Sequence, residues 1–218
     1  MRDRFEEELK KLHDDLVQMG MFIKTTIDKT MSAFRTNNYD LAREVQDSDN
    51  IADELEIKVE RRSLRIILAQ QPVARDLRTI STALKMITDM ERICVQAWNI
   101  ANIMLRFEGQ NLIKKPDDIL LMSEKCVVMV SKSIEAFVNS DLELAKTVLS
   151  LDDEVDALFR NIHDNITSLV VQNPDCVMQA VDFVMIAKYF ERIADHAENI
   201  ANWVIFNITG ERKDSILL

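Results

Sequence analysis

The sequence predicts an all-α protein made of two tandem, pseudo-symmetric three-helix bundles, with six long antiparallel helices in total. Three observations lead to this prediction. The 218 residues include only three glycines and three prolines, so helix-breaking residues are scarce. Apolar residues recur every three to four positions, as in amphipathic helices, and the alternation typical of strands is missing. The second half of the chain also repeats the first.

Turn-forming residues divide the chain into six long segments, and we expect one helix in each. The divisions are Asn37-Asn38, Gln71-Pro72, Gly109 to Pro116, Asn139-Ser140 and Asn173-Pro174. In the second segment, residues spaced alternately by four and three positions fall on one helix face. These residues are Leu41, Val45, Ser48, Ala52, Leu55 and Val59. Helices of about 30 residues would each be roughly 45 Å long.

Two helix starts carry capping signals. Ser140 followed by Glu143 has the spacing of a capping box, and Asn173 followed by Pro174 places a capping residue before a first-turn proline. Gly20 lies inside the first segment, where glycine costs about 1 kcal/mol relative to alanine. It marks either a bend or a close contact between helices, and the sequence leaves both open.

The internal repeat defines the predicted domains. The matching pairs are Ala33-Phe34 with Ala136-Phe137, Leu41-Ala42 with Leu144-Ala145, Asp49 and Asp53 with Asp152 and Asp156, Pro72 with Pro174, and Glu91-Arg92-Ile93 with Glu191-Arg192-Ile193. The offset between matching residues falls along the chain, which two small deletions explain. We therefore predict a first three-helix repeat over residues 1–110, a second over 115–210, and a C-terminal tail over 211–218.

The formal net charge of −10 argues against several ligands. Nucleic acids and anionic membrane surfaces are bound by clustered Lys and Arg, and bare phosphate is an equally poor ligand for an acidic chain. The N-terminal MRDRFEEELKKL has no apolar signal core, and no apolar run approaches the ~20 residues that cross a bilayer. We expect a cytoplasmic protein without membrane insertion. Cys94, Cys126 and Cys176 lack CxxC spacing and are predicted to be buried and inert.

Acidic side chains recur with helical spacing in the two last helices of the second repeat. Glu191 and Asp195 are four positions apart, as are Asp152 and Asp156, so each pair lies on one helix face. Asp156 and Glu191 are separated from Pro174, on its two sides, by nearly the same length of chain. Antiparallel helices place residues at equal distances from their turn side by side, so we expect all four carboxylates at one level.

The first repeat has an incomplete version of the same set. Asp53 and Glu91 lie at equal separations on the two sides of Pro72, and Asp49 is level with position 95. Val95 and Trp98 stand where the second repeat has Asp195 and Glu198, so this set has fewer possible ligands.

Four level carboxylates have two interpretations. Oxygen donors in this number suit Mg, Mn, Fe or a carboxylate-bridged Zn site. Alternatively, they are solvated positions beside the apolar stripe, accompanied by Arg92 and Arg192. A di-iron oxidase would need Glu three positions before a His, which none of the three histidines has. No nucleophile motif or P-loop occurs either, so we expect no enzymatic activity.

The repeated segments resemble a known family. The chain carries DMERICVQAWNIAN from Asp89 and YFERIADHAENIAN from Tyr189. These are similar to the twice-occurring signature of the PhoU family, the phosphate-uptake regulators. AQQPVARDLRTISTALK, from Ala69, resembles the segment that leads into the family's first motif, and the resemblance covers nearly the whole chain. Ala194 and Cys94 replace the family's glycine.

The resemblance implies a cytoplasmic, dimeric, all-α adaptor that limits phosphate uptake and restrains the phosphate-starvation response. It implies as partners the ATPase subunit of a phosphate ABC transporter and a sensor histidine kinase. It also implies multinuclear Fe or Zn clusters held by the acidic pairs. The implied ligands are Asp152, Asp156, Glu191 and Asp195, with Asp49, Asp53 and Glu91 as a partial set. The alternatives are a metal-binding helical adaptor for a different transporter and a carboxylate-bridged metal enzyme.

Overall fold

A computed structural model describes residues 2–113 and 115–211, and its regular structure is helical throughout. The helices are α1 (Arg2–Thr36), α2 (Tyr39–Asp47), α3 (Asp49–Gln70), α4 (Ala74–Arg106), α5 (Asp117–Asn139), α6 (Leu142–Gln172) and α7 (Val177–Thr209), with a 3-10 turn at Pro174–Cys176. Apart from Glu211, the predicted tail over 211–218 lies outside the described residues. Within the described part, no helix combines the length and apolar character needed to span a membrane.

The prediction of two tandem three-helix bundles is confirmed. Helices α1, α2, α3 and α4 pack together as the first bundle, and α5, α6 and α7 form the second. The bundles are joined by α4 against α7 and by α1 against α5. The predicted domain limits at residues 110 and 115 fall in the connection between α4 and α5, and they stay a prediction.

The second predicted helix is interrupted, which the sequence did not indicate. Helix α2 ends at Asp47 and α3 begins at Asp49. Between them, the Ser48 hydroxyl donates a hydrogen bond to the Val45 carbonyl at 2.8 Å, and the Ser48 amide bonds to the same oxygen at 3.3 Å. A serine that bonds back to its own helix competes with the regular ladder and bends the chain. The apolar face continues across the break.

The capping box predicted at Ser140 is wrong. Ser140 adopts a left-handed conformation, with φ 51°, and ends α5, while the Asp141 side chain caps α6 by accepting a bond from the Leu144 amide at 2.9 Å. The α5–α6 turn is so short that residue 140 closes one helix and only residue 141 can start the next. Asn37 and Asn38 form the same turn in the first bundle. The two bundles therefore share the conformation of this turn as well as the matching sequence.

The other predicted start is confirmed in part. Pro174 occupies the first turn of the 3-10 segment, as expected, but the Asn173 side chain makes no capping hydrogen bond. The 3-10 turn tightens the start of α7 and uses backbone groups instead, with the Cys176 amide bonded to the Asn173 carbonyl.

Gly20 marks a close contact between helices. A Cβ atom at this position would lie 2.7 Å from Cγ2 of Ile134 on α5, closer than packed carbon atoms approach. The absence of a side chain therefore lets α1 and α5 meet. Near the same contact, the His13 and Phe137 rings lie 5.0 Å apart.

The interface between α4 and α7 is antiparallel. Thr79, near the start of α4, contacts Asn207, near the end of α7, and Arg106 at the end of α4 pairs with Asp182 at 2.7 Å. The repeated ERI segments therefore cross near the middle of the two helices. All three cysteines are buried, as predicted.

Candidate functional site

The structure brings the four acidic residues of the second repeat together. Asp152 and Asp156 lie one turn apart on α6, and Glu191 and Asp195 lie one turn apart on the facing α7. Burial raises the pKa of Asp152 to about 7, and repulsion from Glu198, Asp195, Asp156 and Asp153 adds to the shift. The carboxylates therefore act on one another across the two helices, as counting from the turn predicted.

Asp195 responds to the same surroundings. Its side chain reaches solvent, yet the protein around it raises its pKa, mainly through desolvation and then through the charges of Glu191 and Asp156. Lys188 opposes this rise. Its ammonium group forms an ion pair with Glu191 and lies 5.2 Å from the centre of the Phe159 ring. One lysine thus partly balances a group of carboxylates.

The partial set in the first repeat also comes together. Desolvation raises the pKa of Glu91, Asp53 and Asp49 add to the rise, and Arg92 opposes it from an ion pair 3.4 Å away. Val95 stands on α4 where the second repeat has Asp195, so this cluster faces an apolar neighbour on that side.

Sequence reasoning left Glu56 and Lys188 out of these clusters, and it named Glu198 beside Asp195 without including it in the ligand set. Glu56 joins the first cluster: desolvation raises its pKa, followed by the charge of Glu91. Glu198 is the carboxylate that most strongly raises the pKa of Asp152. Lys188 supplies the counter-charge. Each lies three positions from a predicted ligand, so extending each set by one helical turn would have included all three.

His196 lies between the two clusters. Its Nδ1 atom is 3.0 Å from Oδ1 of Asp89 on α4, and the ring, when protonated, lowers the pKa of both Glu91 and Asp195. Asp89 also accepts hydrogen bonds from Asn199 and Trp203 on α7. Asp89 therefore faces the second bundle. It does not supply the first cluster with the carboxylate that is missing at Val95.

The clusters offer oxygen donors, but their side chains do not form a preorganised metal site. Among the described residues, no three His, Cys, Asp or Glu side chains form a group that would hold a metal ion as they stand. The nearby thiols are poor candidates, since burial raises the pKa of Cys94 and of Cys126. A cation would have to draw the carboxylates of α6 and α7 toward each other.

Comparisons with known proteins agree with the repeat. The family described as "PhoU domain" matches residues 16–104 and again 119–204. A relative from Clostridium acetobutylicum, named "Phosphate-specific transport system accessory protein PhoU homolog", is 33% identical over 98% of this chain and 98% of its own. A relative of the same name from Aquifex aeolicus is 35% identical over 80% of this chain and 79% of its own.

Solved structures have the same fold. The crystal structure of PhoU from Pseudomonas aeruginosa superposes with a TM-score of 0.92, at 25% identity, and the match covers 95% of this chain and all of that one. The phosphate transport system regulatory protein PhoU from Streptococcus pneumoniae gives a TM-score of 0.88 at 20% identity, with 96% and 99% coverage.

Proposed function

The chain belongs to the PhoU family, and on that premise we propose that it is an accessory protein of phosphate transport. It acts as a cytoplasmic regulator that limits phosphate uptake and represses the phosphate-starvation response. The observation that carries this proposal is the family match in both bundles, together with similarity to the Clostridium acetobutylicum accessory protein along almost its whole length.

The proposed mode of action is that of an adaptor. It contacts the ATPase subunit of a phosphate ABC transporter and a sensor histidine kinase, and it functions as a homodimer. Long helices that present extended exposed faces suit docking better than catalysis, and the relatives carry the name of an accessory protein rather than an enzyme.

Deletion of the gene in its host tests the regulatory proposal. In phosphate-rich medium, uptake of labelled phosphate should rise in the deletion strain and return to the parental rate when the wild-type gene is restored. Uptake that does not change on deletion would contradict the proposal. A phosphate transporter encoded by neighbouring genes would favour it over an adaptor for a different transporter.

We further propose that the second acidic cluster binds metal, as one or more Fe or Zn ions, with Mn or Mg also compatible. Asp152, Asp156, Glu191 and Asp195 would supply the oxygen ligands. The support is electrostatic, because burial and mutual repulsion raise the pKa of Asp152 to about 7 and a cation would relieve both costs. Elemental analysis of protein purified with added metal tests this, and protein without metal would exclude it.

A weaker site is proposed for the first cluster. Asp49, Asp53 and Glu91 provide three carboxylates, and Glu56 adds a fourth from the next turn of α3. Val95 and Trp98 cannot bind metal, so we expect lower occupancy than in the second cluster. The remaining alternative, a carboxylate-bridged metal enzyme, would require turnover of a substrate by the metal-loaded protein.

A further inference from the structure

The outer face of α3 is defined here as Ile57, Arg61, Leu64, Arg65 and Leu68. These residues follow the three-to-four spacing of one helix face and lie opposite the side that packs into the bundle. Helix α3 contacts only α1, α2 and α4 within the described residues, so its outer face has no intramolecular cover. Ile57, Leu64 and Leu68 are 42%, 53% and 81% exposed. Three large aliphatic side chains therefore form an exposed seam along one helix.

The arginines on this face lack carboxylate partners. Lys58 and Arg62, on the neighbouring edge of α3, both pair with the buried Asp15 at 2.9 and 2.5 Å. Arg61 and Arg65 are exposed and form no ion pair within the described part of the chain. Two unpaired guanidinium groups are notable in a protein of net charge −10, because acidic side chains are abundant elsewhere on its surface. This face is therefore positive where the whole chain is negative.

The second repeat provides an internal comparison. The register that aligns Asp53 with Asp156 places Arg160, Asp164 and Thr167 of α6 at the positions of Ile57, Arg61 and Leu64. All three are exposed. Ser168 and Val171 follow at the positions of Arg65 and Leu68, and Val171 is exposed. This face therefore carries one large aliphatic side chain in the second bundle and three in the first, although the buried faces of α3 and α6 are both apolar. The seam is not a requirement of the fold.

We propose that the outer face of α3 binds an acidic amphipathic helix of a partner protein. The occupant presents apolar side chains at three-to-four spacing to Ile57, Leu64 and Leu68, and Glu or Asp side chains to Arg61 and Arg65. This assignment rests on the proposed adaptor function and gives one of its partner contacts a location and a chemistry. Arginine pairs with carboxylates through two parallel hydrogen bonds, so the charges fix the register of the bound helix.

Other occupants fit this face less well. An anionic membrane surface is usually bound by four to eight clustered basic residues, whereas this face has two unpaired arginines flanked by Glu54 and Glu60. A second copy of the chain, docked through the same face, would bring the Arg61 side chains of both copies close together in the interface, where their like charges repel. A partner helix with carboxylates avoids both difficulties.

Photo-crosslinking in the host identifies the occupant. Leu64 is replaced by p-benzoyl-phenylalanine in the full-length chain, and Thr167 is replaced in the same way as the matched control. The proposal expects crosslinks from position 64, at least tenfold above those from position 167, to a segment of another protein that is acidic and has apolar residues at three-to-four spacing. Crosslinks to lipid, to a second copy of the chain or to no protein at all would overturn it.

A binding measurement tests the chemistry with purified protein. The probe is a fluorescent synthetic helix long enough to cover α3 from Ile57 to Leu68, with Leu at three-to-four spacing and Glu on the flanks. We expect Leu64→Glu to weaken binding at least tenfold and Thr167→Glu to leave it unchanged, with circular dichroism confirming that both variants fold. A probe that binds the wild-type protein and both variants equally, or binds none of the three, counts against the proposal.

The two proposals fail in different ways. If deletion of the gene changes phosphate uptake while position 64 crosslinks to nothing, the regulatory function stands and the assignment of this surface falls. If position 64 crosslinks as expected but deletion of the gene leaves phosphate uptake unchanged, the proposed binding surface is supported and the proposed regulatory function is contradicted.

Discussion

The Oδ1 atom of Asp89 on α4 lies 3.0 Å from Nδ1 of His196 on α7, which connects the two bundles near the middle of their interface. The contact breaks the internal symmetry, because Tyr189 and Gln96 occupy the equivalent positions of the other repeat. Asp89 also accepts bonds from Asn199 at 3.3 Å and Trp203 at 3.1 Å. One carboxylate therefore satisfies three polar side chains of α7.

Removal of this carboxylate should destabilise the protein. Asp89→Ala removes the carboxylate that His196, Asn199 and Trp203 contact across the interface, so we expect the free energy of unfolding to fall by about 2 kcal/mol. Urea denaturation measures the change. Asp164→Ala is the control, because Asp164 is an exposed helical carboxylate whose neighbour is His163. Equal losses in the two variants would show that the interface does not depend on Asp89.

The stability of the metal-free protein should depend on the charge of Asp152. Its pKa is about 7 in the folded chain and near 3.8 when unfolded, so the folded state binds more protons between these values. Stability therefore falls as pH rises through this window. Asp152→Asn should be more stable than wild type at pH 8 by roughly 1 kcal/mol, since solvent screens a half-exposed group.

The advantage of Asp152→Asn should shrink as pH falls and vanish below about pH 3, where the wild-type carboxyl is protonated in both the folded and the unfolded state. Urea denaturation at several pH values, with chelator present, checks this, and Asp164→Asn is the control. A constant difference at every pH would mean that the substitution acts through packing rather than charge.

Metal content should differ between the two acidic clusters. Asp156→Ala combined with Glu191→Ala removes one proposed ligand from each helix of the second cluster, and we expect most bound metal to be lost. Asp53→Ala should cost less, because Val95 and Trp98 already limit the first cluster. Elemental analysis of matched preparations measures both. Equal losses would contradict the asymmetry between the repeats.

Gly20 should tolerate no side chain. The added Cβ of Gly20→Ala would overlap Cγ2 of Ile134, and overpacking of this kind costs about 1–3 kcal/mol. The gain in helix propensity offsets up to about 1 kcal/mol of that cost. Denaturation of Gly20→Ala, Ile134→Ala and the double variant measures their coupling. We expect the double variant to be more stable than the two separate losses predict, and simple additivity would exclude the overlap.

The buried ion pair beneath α3 should matter far more than its exposed neighbours. Asp15 is buried and held by Arg62 and Lys58. Arg62→Met leaves that carboxylate with one partner, and a loss of about 3 kcal/mol is expected. Arg61→Met is the matched control on the same helix and should change stability by less than about 0.5 kcal/mol. Thermal unfolding that ranks the two variants alike would disprove the difference.

Much of the fold follows from spacing along the chain. The scarcity of helix breakers and the three-to-four periodicity predicted the helices, and the repeat predicted two bundles. The turn at Pro174 then predicted that the acidic pairs of α6 and α7 lie at one level, and the charge of Asp156 does raise the pKa of Asp195 across the two helices. These predictions succeeded because each depends on distances measured along one helix or one hairpin.

Local signals were less reliable where two of them competed. Ser140 and Asp141 are both good capping residues, and only the backbone conformation of the short turn selects Asp141. Ser48 fits the apolar stripe of a continuous helix, yet its hydroxyl bonds back to Val45 and divides that helix in two. A sequence pattern does not show which of two hydrogen bonds a side chain will make.

The sequence by itself determined the helical class, the duplication and the level of the acidic pairs, because these depend on periodicity within single elements. The tertiary structure decided how α4 crosses α7, that Asp89 meets His196, that Gly20 lies against Ile134, and that the outer face of α3 stays uncovered. Each of these depends on the side chains of two separate helices at once. Contact between distant parts of a chain is fixed by how both surfaces pack, which neither segment specifies alone.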